Sequence, residues 1–85
     1  MNYHILITSK AKKQIDRLPQ KIKEKIGSAI LEIASNPLIG KALKAQLKGL
    51  YSFRAGNYRI VYEIDNKKIC IFILKVMHRR EVYRD

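Results

Sequence analysis

The sequence predicts an α+β fold, with two N-terminal helices packed on one face of a small, mostly antiparallel, four-stranded sheet in the order β-α-α-β-β-β. Three observations predict it. Residues 20–35 carry an apolar stripe at helical spacing, the period changes to two from Leu50 onward, and turn residues punctuate that second half at hairpin intervals. With 85 residues the chain reads as a single domain covering residues 1–85, and a domain this small buries only about 60% of the surface its unfolded form exposes.

Each element follows from local chemistry. Tyr3 to Thr8 reads as a short strand, with β-branched Ile5, Ile7 and Thr8. The opening "MNYHILITSK" lacks a basic run before its apolar stretch and a small-residue cleavage site after it, so it is expected to be this first strand and not a signal peptide. Ser9 or Thr8 offers the N-cap oxygen of a first helix reaching about Leu18, with Ala11, Ile15 and Leu18 on one face. Pro19 stops that helix and opens the next. In the second helix, Gln20 to Ser35, Ile22, Ile26, Ala29, Ile30 and Ile33 form the stripe, and "SNP" ends it. Leu38 to Gly49 shows no regular period. Leu50 to Ala55 and Tyr58 to Ile64 then read as a hairpin about Gly56-Asn57, with Tyr58, Ile60, Tyr62 and Ile64 on one face and Arg59, Val61 and Glu63 on the other. "DNKK" closes a second hairpin, and Ile69 to Val76 is apolar on both faces, as a central strand would be.

Charge says most about function. Eighteen Lys and Arg against seven Asp and Glu give a net charge of +11, which points to a polyanionic partner, nucleic acid foremost. No apolar run approaches the ~20 residues that span a bilayer, and no helix pairs aromatic and basic faces as a membrane-surface helix does. The lone Cys70 has no partner for an internal disulfide, which fits a reducing cytoplasm, and it reads as a buried thiol. Two histidines and one cysteine make no metal site, and no phosphate loop or nucleophile motif is present, so no cofactor is expected.

What remains is a basic cluster. Lys41, Lys44, Lys48, Arg54 and Arg59 occur between residues 41 and 62 without one acid, and the tail adds His78, Arg79 and Arg80 with Tyr83 nearby. A sheet face so furnished suits a phosphate backbone, with an aromatic ring for a base to stack on. Such a site needs no metal to cut RNA, because RNA carries its own nucleophile in the 2′-hydroxyl; the protein need only orient it, neutralise the developing charge and assist proton transfer. The bland readings are a solvated sheet face, ordinary packing of Tyr51, Tyr58 and Tyr62, and helix lysines kept for solubility.

"LKGLYSFRAGNYRIVYEI" followed by "LKVMHRREVY" resembles the RelE/ParE superfamily of toxins from type II toxin–antitoxin systems, over nearly the whole chain. The resemblance implies a RelE-like fold and, for RelE-type members, an mRNA interferase that works in the ribosomal A site by 2′-hydroxyl attack without metal. ParE-type members share the fold and inhibit DNA gyrase. A third alternative is a catalytically weak RNA- or ribosome-binding homologue. By the same resemblance Arg59 steadies the transition-state phosphate, Arg79 assists the leaving group or stabilises charge, Tyr83 stacks on the substrate base, and Arg54 fills a common basic position. The lysines that some RelE members carry early in the second strand are replaced here by Ser52 and Phe53, which leaves Lys48, Arg54 or His78 for the general base. Lys41, Lys44, His78 and Arg80 are expected to bind RNA. The implied partners are mRNA with the ribosome and an acidic antitoxin, the toxin being monomeric alone and hetero-oligomeric with its antitoxin.

Overall fold

The computed structural model describes residues 2–81. Strand β1 (His4–Ile7) leads into helix α1 (Ser9–Asp16) and helix α2 (Gln20–Ser35), followed by β2 (Lys41–Ala42), β3 (Leu50–Ala55), β4 (Tyr58–Asp65) and β5 (Cys70–His78). Two short 3₁₀ turns, Pro37–Ile39 and Ala45–Leu47, flank β2. The sheet order is β1-β5-β4-β3-β2.

The α+β reading holds, with one strand more than expected. Lys41 and Ala42 pair antiparallel with Ser52 and Tyr51 and add a two-residue edge to a segment that has no period of its own. Strands β3, β4 and β5 are antiparallel to one another, while β1 lies parallel to β5, so the sheet is mixed. The first helix ends at Asp16, two residues short of the expected Leu18, because Arg17 and Leu18 close a tighter turn onto Gln14 and Ile15 before Pro19. Its N-cap is Thr8, whose Oγ1 accepts the Ala11 N–H at 3.2 Å.

Both helices lie on one face. Ala11 from α1 and Ile26, Ala29, Ile30 and Ile33 from α2 pack on Ile60, Tyr62, Ile71, Ile73 and Val76. The alternation read from β4 places its even-numbered residues in this core, so the odd-numbered Arg59 and Val61 stand on the face away from the helices. Tyr62 is fully buried, and its hydroxyl donates to Pro37 O at 2.6 Å and accepts the Gly40 N–H at 3.0 Å. That pair of bonds fixes the turn before β2. A Cβ on Gly40 would stand 2.5 Å from the Tyr62 hydroxyl, so the close approach requires glycine here.

Candidate functional site

The β3–β4 hairpin builds the centre of the site. Gly56 takes φ +62°, a conformation that glycine adopts without steric cost, and the two-residue turn sets the register in which Arg54 and Arg59 are directly opposite. Both guanidinium groups are exposed on the open face. Arg54 Nε donates to Gly56 O at 3.2 Å, which holds its fork at the hairpin tip. Two pairs further along, on the same face, Ser52 is opposite Val61, and Lys41 of β2 is opposite Ser52. A cavity of about 340 Å³ is lined by Lys41, Leu43, Ser52, Arg54 and Arg59. Its three charged side chains are all cations. Like charges directly opposite on a sheet destabilise it, so this arrangement suits an anion between them.

The other expected residues are distributed around this cavity. Lys44 and Lys48 border a neighbouring cavity of about 320 Å³, which shares Leu43 with the first. Arg79 is exposed, and its N–H donates to Asn57 O at 2.7 Å, which ties the end of β5 to the turn that precedes Arg59. Ser52 is 8% exposed in the cavity floor, and Phe53 points inward onto the core, so neither supplies a base. Tyr83 lies outside the described residues.

His78 is placed elsewhere. It pairs across the sheet with Tyr58 and meets that ring edge-on, centroids 5.1 Å apart, on the side where Gln14 of α1 and Arg17 and Leu18 of the turn after it lie. Its Nδ1 accepts the Arg80 N–H at 3.2 Å, and its own N–H donates to Glu81 Oε1 at 2.9 Å. His78 therefore shapes the turn that carries the exposed Arg79 and Arg80 and stands across the sheet from the Arg54–Arg59 cavity.

Sequence reasoning missed three cations. Arg54 also borders a groove of about 600 Å³ between the hairpin and α2, with Lys21 and Lys25 on its rim and Glu24 and Glu32 beside them. Lys75 stands on the open face, opposite Val61. The signal was a lone lysine in "FILKVM", but apolar neighbours on both sides absorbed it. Among the described residues the single ion pair is Lys12 with Asp16, at 3.4 Å on exposed α1, so this face carries its charge unneutralised. No group of three His, Cys, Asp or Glu among the described residues is arranged to hold a metal ion. No helix among them is long and apolar enough to cross a membrane.

Residues 5–83 match the family model described as the ParE toxin of type II toxin–antitoxin systems. The chain belongs to the RelE/ParE superfamily of toxins. The toxin is 39% identical to Toxin RelE of Mycobacterium tuberculosis over 88 residues, covering 96% of this chain and 87% of the relative. It is 25% identical to the mRNA interferase toxin RelE of Escherichia coli, covering all of this chain and 94% of that one. Among solved structures, the toxin–antitoxin complex RelBE2 of M. tuberculosis matches with a TM-score of 0.86 and 33% identity, over 93% of this chain and all of the other. The toxin's two helices against a mixed sheet are thus the fold of that family.

Proposed function

We propose that the toxin is a metal-independent endoribonuclease that cuts mRNA in the ribosome. The observation that carries this reading is that every charged side chain lining the Lys41–Arg54–Arg59 cavity, on the sheet face away from the helices, is a cation. The name of the E. coli relative as an mRNA interferase supports it. In the proposed reaction the 2′-hydroxyl oxygen attacks the adjacent phosphorus, its proton passes to a base, and the 5′-oxygen leaves with a proton. The products are a 2′,3′-cyclic phosphate and a 5′-hydroxyl end. Arg59, Arg54 and Arg79 neutralise the phosphorane, and Tyr83 stacks on the base. Guanidinium groups are always charged and forked, which suits them to this task and makes them poor proton acceptors. Of the other candidates for the base, His78 faces the helices and Lys48 borders the adjoining cavity, so the site contributes chiefly charge stabilisation. The partners in this reading are mRNA, the ribosome and an acidic antitoxin.

A second reading, inhibition of DNA gyrase by binding, is favoured by one observation, the match to the ParE family description. Primer extension on mRNA from cells briefly expressing the toxin separates the two. Cuts clustered within translated codons, with 5′-hydroxyl ends, are expected of the nuclease. Intact mRNA together with accumulated gyrase–DNA breaks would replace it with the gyrase reading.

A further inference from the structure

Strict alternation along β5 would bury Lys75. Ile71 and Ile73 face the helices, and the next inward position by a period of two is residue 75. The ladder slips instead. Val61 pairs with Lys75 but Tyr62 pairs with Ile73, which leaves Leu74 as the extra residue of a β-bulge. The slip inverts the phase of the strand. Val76 takes the inward place opposite Ile60 and joins the core, and Lys75 turns to the open face.

The bulge is held from α1 and its cap. Thr8 N–H donates to Ile73 O at 3.1 Å, and Thr8 Oγ1, which also caps the helix, donates to Leu74 O at 3.1 Å. Gln14 Oε1 accepts the Val76 N–H at 2.8 Å. Three bonds thus fix the irregular stretch on either side of Lys75.

On the open face Lys75 is opposite Val61, and Arg59 is two residues further along β4, so the two cations are diagonal neighbours. Such diagonal neighbours lie about 7–8 Å apart, within reach of two long side chains meeting on one group. Glu63 stands on the other diagonal, and no ion pair joins it to Lys75 among the described residues. We propose that Lys75 is a further phosphate-binding residue of this site, converging with Arg59 on the RNA backbone and aimed there by the bulge that Thr8 and Gln14 pin. This rests on the reading of the Arg54–Arg59 face as an RNA site.

The test is binding of a short single-stranded RNA, made uncleavable by a 2′-deoxy nucleotide, to the full chain over a series of salt concentrations. Wild type, Lys75→Met and Lys75→Arg are compared, the Met variant keeping most of the aliphatic packing. Loss of one phosphate contact reduces the steepness of log K against log salt by about 0.7. Lys75→Met is expected to show that reduction and Lys75→Arg to keep the wild-type slope. An unchanged slope in Lys75→Met overturns the assignment. So does an equal loss of thermal stability in Lys75→Met and Glu63→Gln with slopes unchanged, which would make Lys75 a structural partner of Glu63. Cleavage on ribosomes is read in parallel. If wild type binds RNA yet never cuts, the nuclease reading falls and the slope still decides Lys75. If wild type cuts while the Lys75→Met slope is unchanged, only the Lys75 assignment falls. A wild type that binds no RNA at about 50 mM salt overturns the Lys75 assignment, and one that in addition never cuts on ribosomes overturns both.

Discussion

Arg54 and Arg59 face each other across a two-residue turn, and no acid lines the cavity they share. A fold gains nothing from that pairing in the absence of an anion, which is the residue-scale argument for a phosphate between them. Because both are exposed, their removal costs the fold little, while removing a charge-stabilising donor from a reacting site costs on the order of 10²–10³ in rate. Arg59→Ala and Arg79→Ala are therefore each expected to lower ribosome-dependent cleavage by about 10²-fold or more with an unchanged thermal midpoint. Arg59→Lys is expected to be impaired too, since a point charge does not reproduce the fork. Lys12→Ala on exposed α1 serves as the control and is expected to cut like wild type. Variants that cut normally would remove the arginines from the site, and variants that unfold would make them structural.

At the scale of elements, what was legible had a local cause. Helix α2 and strand β3 have the bounds that periodicity and the flanking Pro, Asn and Gly residues assign them, because apolar spacing and turn chemistry are written locally. Strand β2, the parallel β1–β5 pair and the bulge at Leu74 arise from tertiary partners, and no local pattern encodes them. The site divides the same way. Arg54 and Arg59 were legible as charges in a period-two run, while the facing of His78 and Lys75 depends on how β5 is paired and bulged. Edge strand β2 has its own determinant in Tyr62, whose hydroxyl holds Pro37 and Gly40 and so sets where Lys41 begins. Burial pushes the Tyr62 phenol above its ordinary pKa near 10; the Gly40 N–H offsets part of this, and Tyr51 adds to it. A raised folded-state pKa means that the unfolded chain releases this proton more readily. The Tyr62 contribution is therefore complete below about pH 10 and is lost as pH rises through that value toward the folded pKa. Tyr62→Phe is expected to cost about 1–3 kcal/mol at neutral pH, because two partners lose their bond, and to flatten the decline above about pH 10. Denaturant melts of both proteins from pH 7 to 11 check this. Coincident curves would show that the hydroxyl contributes nothing, and curves offset but parallel across that range would show that its proton is not linked to folding.

At the scale of the whole molecule, a net charge of +11 on 85 residues, with one ion pair among the described residues, works against compactness. Screening relieves such repulsion, since the Debye length shortens from about 10 Å at 0.1 M salt to about 3 Å at 1 M. A bound acidic partner relieves it by a different route and adds mass action, about 4.1 kcal/mol when its free concentration is a thousandfold above Kd. The two routes have opposite salt signatures. The thermal midpoint of the free toxin is expected to rise with added sodium chloride, as its like charges are screened. The extra stability conferred by an acidic antitoxin segment is expected to shrink over the same series, as the attraction between the two chains is screened. Melting curves of the toxin alone and with a small acidic protein encoded beside it, taken across one salt series, measure both slopes. A free-toxin midpoint indifferent to salt would locate its stability in the core alone. A partner whose effect does not fade with salt would bind through apolar contacts, and the basic faces would then be free for RNA even in the complex.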